Sequence, residues 1–183
     1  LRYAETHFHG SHGGVYARPK SAVTVGCNGA YVGDFNLING RVGRLEIDYL
    51  VETGENGVTE LTARVFGHGD DTINIKEKVV LAGEHSRGLI KTRVVLEDEA
   101  FAEITGITEG NAAGARGHVD CMEVVKDNAV ASAIPIVRVT NPLAKVTHEA
   151  AIGSVDKRQL ETLMVHGLTS AEAVDIIVKG ILR

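Results

Sequence analysis

The chain has 183 residues, of which 44% are hydrophobic and 23% charged, a composition typical of one globular domain with a continuous core. The net charge is −5 and no dense run of lysine or arginine occurs, which argues against nucleic acid as a partner. Without a bilayer-length apolar stretch or a secretory signal, we expect neither a membrane partner nor export. Cys27 and Cys121 are the only cysteines, too few for a disulfide framework, which favours a reducing, cytoplasmic location.

From Ala22 to Val139 short runs of valine, isoleucine and leucine alternate with turn residues, which predicts a mainly β fold. Apolar and polar residues alternate over Leu45–Tyr49 and Thr72–Ile75, as in strands with one buried face. Aromatic residues make up only 4% of the chain, and small branched side chains favour stacked coils of a β-solenoid. The hairpins of a β-sandwich give the same spacing and remain an alternative. The strongest turn signals are Asn28-Gly29, Asn39-Gly40 and Asn56-Gly57.

The last part of the chain changes to a helical pattern. Asp156 followed by Gln159 resembles a helix N-terminus, and Gly167 predicts the end of that helix. Thr169 and Glu172 form a second capping box. We therefore expect a β body over residues 1–155 and a helical hairpin over 156–183. The hairpin could cap an open solenoid end or present a surface to a partner.

The segment from Asn141 to Arg183 resembles the C-terminal signature of the SufB/SufD family of iron–sulfur cluster assembly proteins. Two departures stand out: His166 replaces an expected arginine, and 127–132 has no cysteine where bacterial SufB has one. The pattern is closest to the single SufB-like protein of minimal, archaeal-type systems. The matching elements are His148-Glu149-Ala150, Ile152-Gly153, Asp156, Gln159-Leu160, His166-Gly167-Leu168-Thr169, Glu172-Ala173 and Gly180.

The resemblance implies a right-handed parallel β-helix followed by a short C-terminal α-helical hairpin. It implies a scaffold subunit, not an enzyme, that holds a transient iron–sulfur cluster. Its partners would be a SufC-like ABC ATPase and a second copy of itself, as a homodimer, or a SufB/SufD paralogue. The chain begins at Leu1 without methionine, which suggests a fragment, a processed chain or a disordered lead segment, and the N-terminal segments usual in the family are not present in it.

Two roles within the family remain open. Glu149 favours a SufB-like scaffold, because SufD-type motifs tend to have glycine there. The missing cysteine near Ala129 favours a SufD-like docking subunit without its own cluster. An unrelated polysaccharide-acting β-helix is a third class, but it would usually carry an export signal.

Cys121, His148 and Glu149 are the residues that the resemblance implies for cluster binding or sulfur acceptance. A thiolate can ligate iron or carry sulfur as a persulfide, and imidazole and carboxylate also bind iron. Adjacent strand residues point to opposite faces, so a shared role for His148 and Glu149 needs a bend or one indirect contact. Without the resemblance, Cys121 would be interpreted as a small buried residue and the other two as a surface pair.

Weaker candidates surround these residues. His118 and Asp120 flank Cys121 on the opposite strand face and are second-shell groups or simply solvated. His7, His9 and His12 have metal-ligand spacing but lie in a glycine-rich segment where solvated histidines are more common. Cys27 is interpreted as structural. The predicted ATPase-binding residues of the hairpin are Gln159, Leu160, Leu163, Leu168, Ile176 and Ile177.

Overall fold

A computed structural model describes residues 1–8 and 14–182, as twelve strands and two helices. None of the described helices is long and apolar enough to cross a membrane. The strands are β1 Arg2–Phe8, β2 Val15–Ala17, β3 Lys20–Val25, β4 Ala30–Asn39, β5 Gly43–Thr53, β6 Val58–Gly67, β7 Thr72–Leu81, β8 Arg87–Leu96, β9 Phe101–Gly110, β10 Arg116–Val125, β11 Val130–Val139 and β12 Lys145–Ser154. The helices are α1 Lys157–Val165 and α2 Ser170–Ile181.

The strands form two parallel sheets that wind into a β-solenoid of about five coils. Sheet A has the order β1-β4-β6-β8-β10-β12, and sheet B has the order β11-β9-β7-β5-β2, with β3 also paired to β5. From β4 onward each coil takes 28 or 29 residues, as the pairing of Ala30 with Val58 and of Val58 with Arg87 shows. The expected parallel β-helix and terminal helices are confirmed, and the sandwich alternative is wrong.

The coils turn at two ladders of residues in the left-handed backbone conformation. One ladder comprises Asn28, Asn56, His85 and Gly114, with φ between 52° and 71°. Asparagine and glycine tolerate this conformation best, which explains why Asn-Gly pairs mark two of these corners. Backbone bonds join successive corners: the amides of Asn28 and Asn56 each donate to the carbonyl oxygen one coil on, both at 2.8 Å. The second ladder comprises Gly40, Gly69, Asp98 and Asp127.

The core consists of apolar side chains stacked coil upon coil between the two sheets. Ile47, Ile75 and Ile104 pair in register along sheet B, and each is almost fully buried. This stacking follows from strict alternation, because every second residue of a strand points into the lumen.

The two C-terminal helices are capped as the sequence predicts. The Asp156 side chain accepts bonds from the amides of Arg158 and Gln159, and Thr169 and Glu172 form a reciprocal capping box. The first helix ends at His166, and Gly167 follows with φ 93°.

The helical pair does not cap the end of the solenoid. Helix α2 packs on the outer face of sheet A, where Val178 and Leu182 contact a cluster containing Val95 and Val124, with Phe66 against it. Those last three residues are neighbours in register on β8, β10 and β6. Helix α1 packs against α2 and has no buried residue.

The solenoid is open at the coil formed by β11 and β12. These two strands lie last in their sheets, with β9 and β10 as their paired neighbours among the described residues. Every residue of β12 except Val146 is exposed. Large apolar side chains are exposed on both strands, including Ile136 at 40% and Ile152 at 50%. This end therefore presents two strand edges that another chain could pair with.

Candidate functional site at the open end of the solenoid

Cys121 lies in the interior of the solenoid, on β10. It is only 3% exposed and pairs in register with Thr92 on β8 and Ala150 on β12. Burial is the main cause that raises the pKa of its thiol to about 12, and the charges of Glu123 and Glu77 raise it further. The neighbouring Thr92 side chain acts in the opposite direction and lowers this pKa. Cys121 is therefore a protonated thiol in a closed interior.

His148 and Glu149 lie on β12, one strand nearer the open end. His148 pairs with the inward-facing Val119, so it occupies the same face as Cys121, one diagonal step away. Such diagonal neighbours have α-carbons about 7–8 Å apart. Glu149 pairs with Asp120 and lies on the outer face. The register of β10 and β12 runs without a bulge, so the strand does not bend to bring Glu149 round to Cys121.

His118 and Asp120 lie on the outer face of sheet A, opposite Cys121 as expected. Asp120 accepts a bond of 2.5 Å from Arg93 Nη2, and this contact holds the pKa of its carboxyl below the usual range. His118 Nδ1 lies 2.8 Å from the hydroxyl of Thr147 on β12. Asp120 and Glu149 place two carboxyl groups side by side on neighbouring strands, which are about 4.8 Å apart.

Three polar groups that the sequence reasoning missed surround the thiol in the interior. Glu77 on β7 and Glu123 on β10 are fully buried, and Thr92 donates a bond of 2.8 Å to Glu77 Oε2. Glu77 Oε1 and both oxygens of Glu123 have no hydrogen-bond partner among the described residues. Burial raises the pKa of each carboxyl to about 7.

The sequence contains a signal for these residues in the alternation itself. The inward positions of β7 are Ile73, Ile75, Glu77, Val79 and Leu81, so one carboxylate interrupts an apolar series. A charged residue at an inward position of an otherwise apolar strand rarely serves only to fill the core, because burying an unpaired charge costs folding free energy.

Two other features bear on metal and ligand binding. Within residues 1–8 and 14–182, no three histidine, cysteine, aspartate or glutamate side chains are arranged to hold a metal ion. A cleft of about 540 Å³ lies elsewhere, between α2 and the ends of β4 and β6. It contains none of the predicted cluster residues; its lining includes Ile38, Phe66, His68, Lys179 and Leu182.

The histidines at the start of the chain remain untested as ligands. His9 and His12 lie outside the described residues, and His7 lies outside the described side chains. Cys27 is exposed at a coil corner, where its Sγ accepts a bond of 3.2 Å from Asn28 Nδ2.

The predicted partner-binding residues of the hairpin divide into three groups. Gln159 and Ile176 are exposed, whereas Ile177 is only 8% exposed. Leu160, Leu163 and Leu168 are half-buried. Gln159, Leu163 and Ile177 line a hollow of about 370 Å³ between the two helices, together with Arg158 and Thr162.

The family model and the similar proteins all indicate the same family. Residues 6–181 match the family described as "SUF system FeS cluster assembly, SufBD core domain". An iron–sulfur cluster assembly SufBD family protein of Methanocaldococcus jannaschii is 41% identical over 180 residues, covering 98% of this chain and 57% of that protein. A SufBD family protein of Pyrococcus horikoshii is 37% identical over 182 residues, covering 100% of this chain and 55% of the relative. The iron–sulfur cluster assembly protein SufD of Bacillus subtilis is 29% identical over 121 residues, covering 64% of this chain and 28% of that protein.

The chain thus spans a little over half the length of the first two relatives. The match nevertheless covers almost every residue described, from β1 to the end of α2. This chain belongs to the SufBD family of iron–sulfur cluster assembly proteins.

Proposed function

We propose that this chain is a cytoplasmic scaffold subunit for iron–sulfur cluster assembly, without enzymatic activity of its own. The observation that carries the proposal is the placement of Cys121 and His148 on one inner face beside the open end of the solenoid. Cys121 accepts sulfur there as a persulfide, while His148 and Glu149, exposed on β12, bind iron or the forming cluster. The cluster is cargo that leaves for other proteins.

Self-association would complete such a site. A single chain has only Cys121 near this end, too few thiols for a cluster with four cysteine ligands. The free edges of β11 and β12 offer backbone donors and acceptors to a second copy or a paralogue. Symmetric pairing through these edges would place two copies of β12 close together and add a second set of ligands.

The helical hairpin is the proposed docking surface for a SufC-like ABC ATPase. Helix α1 exposes Met164 at 43% and Val165 at 85%, and α2 exposes Ile176 at 47%. The hollow between the helices lies between apolar Leu163 and Ile177 and could accept an apolar side chain. ATP hydrolysis would then act through α2 on sheet A, because Val178 and Leu182 anchor that helix.

Cluster formation tests the scaffold role. Anaerobic reconstitution with ferrous iron and sulfide, followed by visible absorption and iron counting, should give a cluster on the wild type. Cys121→Ala should lose it, because the sulfur-accepting thiol is gone. Cys27→Ala is the matched control: this thiol is exposed at a distant corner, and its loss should change nothing.

A docking subunit of the SufD kind is the alternative, and the burial of Cys121 favours it, because a thiol with a pKa of about 12 is poorly reactive. Failure of the wild type to hold a cluster, even with its ATPase present, would establish that alternative. A cluster retained by Cys121→Ala would remove Cys121 from the site.

Binding of the ATPase should depend on the exposed face of α1. We expect Val165→Glu to weaken binding of a purified SufC-like ATPase by about tenfold or more, because it places a charge in an apolar contact. Titration calorimetry measures this directly. Leu50→Glu, on the outer face of sheet B, is the control for adding a charge to an exposed apolar position.

Deleting the whole hairpin would be a poorer test, since it would uncover Phe66, Val95 and Val124. Unchanged affinity in Val165→Glu and in a matching Ile176→Glu variant would place the ATPase site elsewhere.

A further inference from the structure

The cleft of about 540 Å³ between α2 and the ends of β4 and β6 takes no part in the proposed function. Its floor continues the apolar row on which α2 packs. Phe66, Val95 and Val124 form that row in register on β6, β8 and β10. Ile38, on the outer face of β4, extends the row by one strand, and the helix leaves it 38% exposed. The cleft is therefore the uncovered end of an apolar groove.

The charged side chains that line the cleft are paired. On α2, Lys179 Nζ lies 3.6 Å from an oxygen of Asp175, one helical turn earlier. Just beyond β6, His68 Nδ1 lies 2.7 Å from Glu97 Oε1, and Lys126 Nζ lies 3.4 Å from the other oxygen of Glu97. Because each charge already has a partner of opposite sign, the cleft suits a neutral ligand and not an ion.

His68 offers the cleft one hydrogen-bond acceptor. Since carboxylate oxygens only accept hydrogen bonds, Nδ1 donates to Glu97, and the neutral ring then has its lone pair on Nε2. In the part of the chain that the structure describes, Nε2 has no hydrogen-bond partner. The ring itself lies against Phe66, with the two centroids 3.8 Å apart. An acceptor nitrogen thus stands beside an aromatic and aliphatic floor.

We propose that this cleft binds a neutral, planar apolar molecule with a single hydrogen-bond donor, of the indole class. The ring of the ligand lies on Ile38 and Phe66, and its N–H donates to His68 Nε2. Val178 and Leu182 of α2 form the opposite wall. Indole fits better than phenol, because its N–H only donates, whereas a phenolic oxygen also needs a donor. Small-ligand pockets typically enclose about 300–1,000 Å³, and this cleft is within that range.

Binding of indole to the full chain can be followed by the fluorescence of the ligand itself. The chain has no tryptophan, so the added indole is the only such fluorophore in the sample. The titration is made at about pH 8, where an ordinary histidine ring is neutral. We expect saturable binding and a blue-shifted emission, because the ring leaves water for an apolar site.

The floor of the cleft is tested with one variant and a matched control. Ile38→Glu should weaken indole binding by about tenfold or more, because it replaces part of the apolar floor by a carboxylate. Val58→Glu adds the same charge at an exposed valine at the opposite end of β6, and it should bind indole like the wild type.

The hydrogen bond is tested with 1-methylindole, which has a methyl group in place of the N–H hydrogen. His68→Phe keeps an aromatic ring beside Phe66 but removes the acceptor nitrogen. The preference for indole over 1-methylindole should therefore be about fivefold smaller in His68→Phe than in the wild type, the effect of one hydrogen bond. Because two ligands are compared on each protein, a general loss of affinity in the variant cancels.

The indole group occurs in free small molecules and in the tryptophan side chains of proteins. N-acetyltryptophanamide carries the indole on a peptide unit and separates the two sources. Binding as tight as that of indole identifies a tryptophan side chain of a partner, and much weaker binding identifies a free molecule.

Three results would overturn the proposal: no saturable binding of indole, wild-type affinity in Ile38→Glu, or an equal preference for indole in the wild type and His68→Phe. None of the predicted cluster residues lines the cleft, and the titrations omit iron and the ATPase. The outcome is therefore independent of whether the chain assembles a cluster.

Discussion

Replacing Asp71 by alanine is expected to lower the free energy of unfolding by about 3 kcal/mol, measured by chemical denaturation followed with circular dichroism. The carboxylate of Asp71 is fully buried at the corner before β7. It accepts bonds from Arg41 Nε at 3.2 Å and Nη2 at 3.1 Å, and from the amides of Gly43 and His68, both at 3.0 Å. Removing it leaves two amides without their acceptor next to the core, and takes from the half-buried Arg41 guanidinium the buried one of its two carboxylate partners.

Asp70→Ala is the matched control for this prediction. Asp70 contacts the same guanidinium, but its side chain is 87% exposed, so water replaces the lost contact. We expect a change within about 0.5 kcal/mol for this variant. Equal effects of the two substitutions would contradict the assignment of Asp71 as the residue that holds the corner together.

Replacing Glu77 by glutamine is expected to raise the free energy of unfolding above neutral pH, by about 3 kcal/mol. Burial raises the pKa of Glu77 from 4.5 to about 7 in the folded protein. The folded state therefore binds more protons than the unfolded state between these values. The stability that Glu77 contributes is greatest below 4.5, is lost as the pH rises from there through about 7, and does not return above it. Glutamine removes this loss and can still accept the bond from Thr92.

Denaturation of the wild type and Glu77→Gln at a series of pH values measures the difference. The two curves should separate between about pH 5 and about pH 8. Glu103→Gln, on the outer face of sheet B, should follow the wild type throughout. Parallel curves for Glu77→Gln and the wild type would show that the carboxyl is hydrated or paired in the folded protein.

The sequence predicts a β-solenoid, but it did not reveal the number of residues in each coil. The alternation in Leu45–Tyr49 and the Asn-Gly pairs identified strands and corners correctly. The 28- or 29-residue repeat escaped notice because its left-handed corner accepts different residues: asparagine at 28 and 56, histidine at 85 and glycine at 114. Lumen positions likewise accept any apolar residue of suitable size. Identical pairs one coil apart, such as Arg87-Gly88 and Arg116-Gly117, are few.

The helices were predicted well because capping is a local property. Asp156, Thr169 and Glu172 satisfy backbone groups within three residues of themselves. The surface on which α2 packs could not be predicted, since it depends on Phe66, Val95 and Val124 from three distant strands.

The candidate site was predicted only in part. The motif around His148 and Glu149 lies on β12, the last strand of sheet A, and the opposite faces of these two residues follow from alternation. The polar neighbours of Cys121 were missed, because Thr92 on β8 and Glu77 on β7 come from strands two and three positions earlier in the chain than β10. Contacts across a lumen depend on the coil length, and that length was unknown.

Helix α2 changes how the coils of this protein depend on one another. In a plain solenoid each coil contacts only its neighbours, so coils can be lost one at a time from either end. Here a single helix contacts β6, β8 and β10 through Phe66, Val95 and Val124, and so joins three successive coils. These coils should unfold as one cooperative unit, while β12 can separate from β10 without disturbing them. The strand with His148 and Glu149 therefore belongs to the least cooperative part of an otherwise tightly coupled stack.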